Sequence, residues 1–263
     1  MTAPEGRDSV IYLNKRFHYC RFFTTFAFVK PGKIYLFPSL LSDSTPSDVL
    51  PERNLRLIST IKYFVVEELR TARRFLKTCD RSIVIDDLDF TVLNEHTLAG
   101  EVESMLAPAL EGHDIGVISE AGCPAVADPG ADLVAAAQRK GVEVVPLVGP
   151  SSILLSLMGS GFNGQSFAFL GYLPIGAKRG AALRQMERDI RSRRQTQIFI
   201  ETPYRNNRLI GELASSLPGE MLLCVASDIT GASQSIRTMP LKKWREAQYN
   251  YDKRPAIFLL YSD

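Results

Sequence analysis

The apolar run Ile115-Gly116-Val117-Ile118 empties directly into SEAGCPAVADPG, Ser119 to Gly130, a junction typical of α/β folds. Four apolar residues ending in a loop of small side chains read as a buried strand. Asp128-Pro129 then reads as a helix start, with Asp as N-cap and Pro at the first helical position. Ala121, Gly122, Ala125 and Ala127 keep the loop thin, so its backbone can approach a ligand closely. Ligands of open α/β sheets bind at the carboxyl ends of strands, where this loop would sit. Taken alone, the loop is equally compatible with a tight strand–helix turn that holds nothing.

The same alternation continues along the chain. Strands are predicted at 33–37, 63–66, 83–85, 115–119 and 142–147, then at 167–170, 197–200, 221–226, 234–238 and 256–261. Residues 95–110 carry Leu98, Val102, Met105, Leu106 and Ala109 at helical spacing. Further helices are predicted at 132–140, closed by Gly141, and at 151–158, 177–191 and 204–217. The expectation is an α/β fold of two α/β domains. The N-terminal sheet would be mainly parallel, because short apolar strands separated by helices require it. The C-terminal sheet would be mixed, because its last two strands are joined by only a short helix containing Trp244. The domains are placed at 32–148 and 149–263, after an N-terminal extension, 1–31, that is assigned no role. The strands preceding Ser119 and Gly149 are expected to be parallel neighbours.

Composition bounds the function. Lys and Arg exceed Asp and Glu by only two charges over 263 residues, so contact with nucleic acid must come from local patches. Cys20, Cys79, Cys123 and Cys224 are scattered, with no CxxC pair and no zinc spacing, so no metal site is expected. Reduced thiols fit a cytoplasmic protein. No apolar run reaches the roughly 18 residues of a membrane span, so no membrane partner is expected.

Four segments in order carry a resemblance: SEAGCPAVADPG, then VEVVPLVGPSS (142–152), FAFLGYLP (167–174) and IFIETPYRNNRL (198–209). They resemble the tetrapyrrole methylase family of S-adenosylmethionine-dependent methyltransferases. Within it they are most similar to the branch of ribosomal RNA small-subunit methyltransferase I, cytidine ribose 2′-O-methyltransferases. That branch carries an SDAG-T-P…DPG loop, a PLPGP-type turn, a GF-x-P segment and an E-S/T-x-x-R segment. The resemblance implies two α/β domains with the methyl donor S-adenosylmethionine bound between them, small-subunit ribosomal RNA or the ribosomal subunit as partner, and a homodimer.

The resemblance carries over residue by residue. Ser119, Ala121, Gly122, Val126 and Ala127 would bind the donor, together with Gly149, Pro150, Ser151 and Ser152, whose Gly-Pro-Ser run is also good helix-start chemistry. Pro38, in the first strand's loop, Tyr172 and Thr202 would line the same cleft. Glu67 and Glu68 match an A-E-D-T-R pattern and could deprotonate an attacking hydroxyl; acids near the positive end of a helix are the competing reading. Arg70, Arg205 and Arg208 would meet substrate phosphates, and the basic run from Lys178 to Arg194 either does the same or forms a solvated face. Two segments depart from the pattern: LLSDSTPSDVLP (40–51), in place of an I-G-N-L-x-D run, and Asp228-Ile-Thr-Gly231, in place of an E-L-T-K run, where the lysine is missing. A tetrapyrrole methyltransferase, or a catalytically silent donor-binding protein of the same fold, are the alternatives.

Overall fold

The computed structural model describes residues 30–262; of the N-terminal extension, 1–29, including Cys20, lie outside them. The first half forms strands β1 (Ile34–Phe37), β2 (Tyr63–Val66), β3 (Asp89–Val92), β4 (Ile115–Ile118) and β5 (Val144–Pro146). Its helices are α1 (Pro46–Val49), α2 (Glu52–Ile58), α3 (Leu69–Cys79), α4 (Ala99–Val102), α5 (Ala107–Leu110) and α6 (Ala131–Arg139). The strands build one sheet, ordered β3-β2-β4-β1-β5, in which every pairing is parallel. β4 is buried along its whole length. Gly116 sits at its centre because a Cβ there would lie 2.6 Å from the Phe64 ring, which is fully buried with Phe37 beneath the sheet.

The second half forms α7 (Ser152–Ser160), β6 (Phe167–Tyr172), α8 (Ala177–Arg193), β7 (Thr196–Ile200), α9 (Asn206–Ser216), β8 (Leu222–Ser227), β9 (Ser235–Pro240), α10 (Leu241–Glu246) and β10 (Ala256–Tyr261). Its sheet, β6-β7-β10-β8-β9, is mixed: β6 and β7 are parallel and the other pairs antiparallel. Leu183, Met186 and Ile190 of α8 and Leu209, Ile210 and Leu213 of α9 pack on one face over Phe199 and Phe258. Leu157 of α7 packs on the other, against Ile198, Ile257 and Leu259.

Four expectations are corrected. Residues 83–85 are not a strand. Asp80 Oδ1 accepts from the Ser82 amide and hydroxyl, the chain turns, and a 3₁₀ segment follows at Ile85–Asp87. The strand comes later, as β3, whose residues are mostly exposed because it lies at the sheet edge. The helix predicted over 95–110 begins only at Ala99 and is divided by a 3₁₀ stretch, leaving Leu98 68% exposed. β4 and β5 are not neighbours, because β1 lies between them. Finally, α6 starts at Ala131 with Gly130 (φ 125°) as its N-cap, so Asp128 is free of the capping role.

Candidate active site

Although β4 and β5 are separated, the loops that follow them meet. Cys123 Sγ donates to the Pro150 carbonyl oxygen at 3.6 Å, and the Ser39 amide beyond β1 donates to the Gly122 carbonyl at 2.9 Å. Gly122 adopts φ 77°, a left-handed conformation that glycine takes without strain. Gly149 packs so closely on Pro38 that a Cβ would lie 2.3 Å from the proline ring. Gly149→Ala should therefore lower stability by about 1–3 kcal/mol, checked by thermal denaturation; an unchanged melting temperature would mean that this contact does not hold the loops together.

Where the loops converge there is a cavity of about 160 Å³, lined by Ala121, Gly122, Val126, Ala127, Ser151, Ser152 and Tyr172, with Asp128 at its edge and Phe169, Ile200 and Ile257 supplied by the second sheet. It adjoins a cavity of about 270 Å³ that shares Ala121, Ser152 and Tyr172 and extends to Leu41 and Pro203. Seven of the twelve residues expected at the donor thus face one cleft between the sheets. Pro38, Gly149 and Pro150 instead form its packed support, and Ser151 also caps α7 by accepting from the Leu154 amide at 3.4 Å. Ser119 faces a different cavity, described below. Thr202 lines neither of these two cavities; its amide donates to Glu201 Oε1 at 2.8 Å.

Asp128 was legible only as a helix cap, and the structure places it in the cleft. Its pKa is raised to about 6, chiefly by burial and then by the Glu67 carboxylate, against a smaller opposing pull from the Ser119 hydroxyl. A carboxylate whose ionisation is opposed in this way favours a cationic ligand. Together with the thin wall of Ala121, Gly122 and Ala127, it fits a small ligand carrying positive charge.

Beyond Ser119 and Glu120 lies a third cavity of about 490 Å³. Thr71, Arg74, Phe75 and Thr78 face it from one side of α3, and Ser39 and Ser42 from the loop after β1. The Ser39 hydroxyl is buried with no hydrogen-bond partner, a costly state unless a ligand or water supplies one. The two acids differ in role. Glu68 is the N-cap of α3, and the Arg70 and Thr71 amides hold its carboxylate below the usual range. Glu67 uses one oxygen, Oε2, to accept from the Glu120 amide at 3.0 Å, which ties the end of β2 to the rim shared by the cavities.

Arg205 and Arg208 line a separate cavity on the second domain, and Arg70, at the start of α3, is not among the residues around it. In the basic run, Arg191 and Arg193 pair with Glu187 and Asp189 along α8, which accords with a solvated face. The three cysteines among the described residues are unpaired; burial pushes Cys79 up to about 12 and Cys224 to about 11, and raises Cys123.

The two departing segments touch each other. Ser42 Oγ donates to the Ile229 carbonyl at 3.1 Å, and the Ser42 and Ser44 hydroxyls each lie 3.2 Å from Thr230 Oγ1. A Cβ on Gly231 would be 2.8 Å from Ser42 Oγ and 3.0 Å from Asp43 Oδ1. A lysine there would displace this loop, so the missing lysine and the altered loop are one structural change.

No family model matches the chain. The ribosomal RNA small subunit methyltransferase I of Mesorhizobium japonicum is 34% identical over 209 residues, which cover 78% of this chain and 68% of that protein. The enzymes of that name from Vibrio cholerae and Pseudomonas aeruginosa are 28% and 26% identical, covering 81% of this chain in each case and 72% and 74% of their own lengths. Among solved structures, the methyltransferase CobJ superposes with TM-score 0.59 at 16% identity, over 88% of this chain and 94% of that one. Uroporphyrin III C-methyltransferase from Thermus thermophilus gives 0.56 at 17%, over 88% and 98%. At such identity these structures establish the α/β fold alone. No helix among the described residues is long and apolar enough to cross a membrane.

Proposed function

Because the chain belongs to the ribosomal RNA small subunit methyltransferase I family, we propose that it methylates a ribose 2′-hydroxyl of small-subunit ribosomal RNA. It is an S-adenosylmethionine-dependent methyltransferase. The observation that carries the assignment of the site is the junction of two clefts at Ser119–Gly122: a small-walled cleft edged by Asp128 on one side and a hydroxyl-lined cavity on the other.

S-adenosylmethionine supplies a methyl group made electrophilic by its sulfonium charge. Ala121, Gly122, Ala127, Ser151 and Ser152 would hold it, and Asp128 would face its positive charge. The acceptor nucleotide would enter the larger cavity, where Ser39 offers an unpaired hydroxyl and Arg74 can meet a phosphate. Glu67, whose carboxylate accepts from the Glu120 amide at the rim, would take the hydroxyl proton. Glu68 contributes by fixing the start of α3. Most of the acceleration would come from alignment of hydroxyl and methyl.

Homodimerisation belongs to the same reading. α7 leaves Leu154 and Met158, four residues apart, 51% and 79% exposed, with Val148 75% exposed just before it. A monomeric mass by light scattering would contradict it. The enzymatic reading is tested with labelled donor: methyl transfer to small ribosomal subunits is expected, with none to a tetrapyrrole. Label in the tetrapyrrole would favour the other activity of this fold. Donor binding without any transfer would favour a silent protein.

A further inference from the structure

α8 buries one face at helical spacing, with Arg179, Leu183, Met186 and Ile190 all pointing inward. Three of these build the core. The fourth is a guanidinium only 9% exposed, at the first turn, where an apolar side chain would satisfy packing. Arg179 Nη2 donates to Glu201 Oε2 at 3.1 Å, and Nε lies 3.7 Å from Glu212 Oε1. Nη1 is buried and has no partner. Arg179 lines a cavity of about 460 Å³ together with Arg205 and Arg208.

The network around it presents positive charge to that cavity. Glu201 is almost fully buried; burial works to raise its pKa, but the Thr202 amide and the guanidiniums of Arg179 and Arg205 hold it below the ordinary range. Its Oε1 accepts from Arg205 Nη2 at 2.7 Å. Arg208 is exposed and pairs with nothing among the described residues. Three guanidiniums thus face two carboxylates, Glu201 and Glu212, leaving one unbalanced positive charge. The cavity also lies at the start of a seventeen-residue helix that has no side-chain cap, where the Arg179 amide donates to the Gly176 carbonyl at 3.0 Å and the two amides before it, those of Ala177 and Lys178, lack intrahelical acceptors. Gly176, at that start, has open space where a Cβ would be.

We infer that this cavity is a phosphodiester site, in which Arg179 Nη1, Arg208 and the first two amides of α8 hold one backbone phosphate of the RNA away from the reacting nucleotide, while Glu201 positions Arg179 and Arg205. The inference rests on the reading of the chain as an RNA methyltransferase. Glu201 also lines the larger donor-side cavity, so its carboxylate forms a wall common to the two sites.

The test measures the affinity of the full chain for protein-free small-subunit ribosomal RNA as a function of salt, with donor affinity alongside. Arg208→Ala should reduce the slope of log affinity against log salt by about 0.7, the value for one single-strand phosphate contact. At 0.1 M salt that corresponds to about fivefold weaker binding, with donor affinity unmoved. Glu212→Gln removes a carboxylate from the cavity and should tighten RNA binding about twofold. A gain of affinity cannot come from misfolding. An unchanged slope in Arg208→Ala, or weaker binding in Glu212→Gln, overturns the phosphate site. If RNA is still methylated in that case, the proposed function survives without it. Wild-type protein that neither binds nor methylates this RNA or the small ribosomal subunit overturns both.

Discussion

Gly122→Val is expected to abolish binding of S-adenosylmethionine while leaving both sheets folded. Gly122 holds φ 77°, where a β-branched residue costs on the order of 1–3 kcal/mol. Its Cβ would lie 3.1 Å from Leu41 Cδ2, and a branched side chain would intrude on a cavity of only about 160 Å³. The Gly122 carbonyl also anchors the loop after β1 through the Ser39 amide. Strain and lost space together should weaken the donor at least about a hundredfold, roughly 2.7 kcal/mol. Calorimetry reads the affinity and circular dichroism the fold. Wild-type affinity in the variant would mean that the loop is structural and the donor lies elsewhere.

Asp128→Asn is expected to move stability and binding in opposite directions. The folded pKa of Asp128 is raised to about 6, above its unfolded value, so between those values the folded state holds more protons than the unfolded state. Stability from this group is therefore present at low pH and is lost as pH rises toward 6. Above that pH the ionised carboxylate is a liability of the ligand-free protein, which a cationic ligand would relieve. At pH 7 the asparagine variant should melt several degrees higher than wild type and bind the donor about tenfold more weakly. Wild-type donor affinity should fall as pH drops through about 6, and the variant should lose that dependence. A variant that melts lower, or binds the donor with unchanged affinity and pH dependence, would remove Asp128 from the site.

That residue also shows where the sequence was legible. Asp128-Pro129 has good helix-start chemistry, so local pattern alone assigned it to the cap; the helix instead begins after Gly130, whose positive φ turns the chain. A mainly parallel first sheet and a mixed second one followed from strand length and connection length, because buried strands such as β4 are apolar throughout; the first sheet proves parallel at every pairing. β3 escaped because an edge strand reads Asp-Phe-Thr-Val, with little apolar signal. The position of β1 between β4 and β5 is a long-range property that no local window contains. The small-residue loops were legible as candidate lining of a cleft, and Ala121, Gly122, Val126 and Ala127 do line one. Ile200 and Ile257, which close the cleft from the second sheet, look like any other core strand residues in sequence. Arg179 was legible only as one of many basic residues in a helix, because its burial depends on Glu201 and Glu212 from other elements.

The most direct test of the account is the chemical position of the transferred methyl group. Small ribosomal subunits would be incubated with the protein and donor labelled in the methyl group, and their RNA then hydrolysed in alkali. Alkaline cleavage needs a free 2′-hydroxyl beside the phosphate, so a 2′-O-methylated ribose protects its own linkage. Label recovered in an alkali-stable dinucleotide is the predicted result. Label released in mononucleotides would place the methyl on a base and contradict the account.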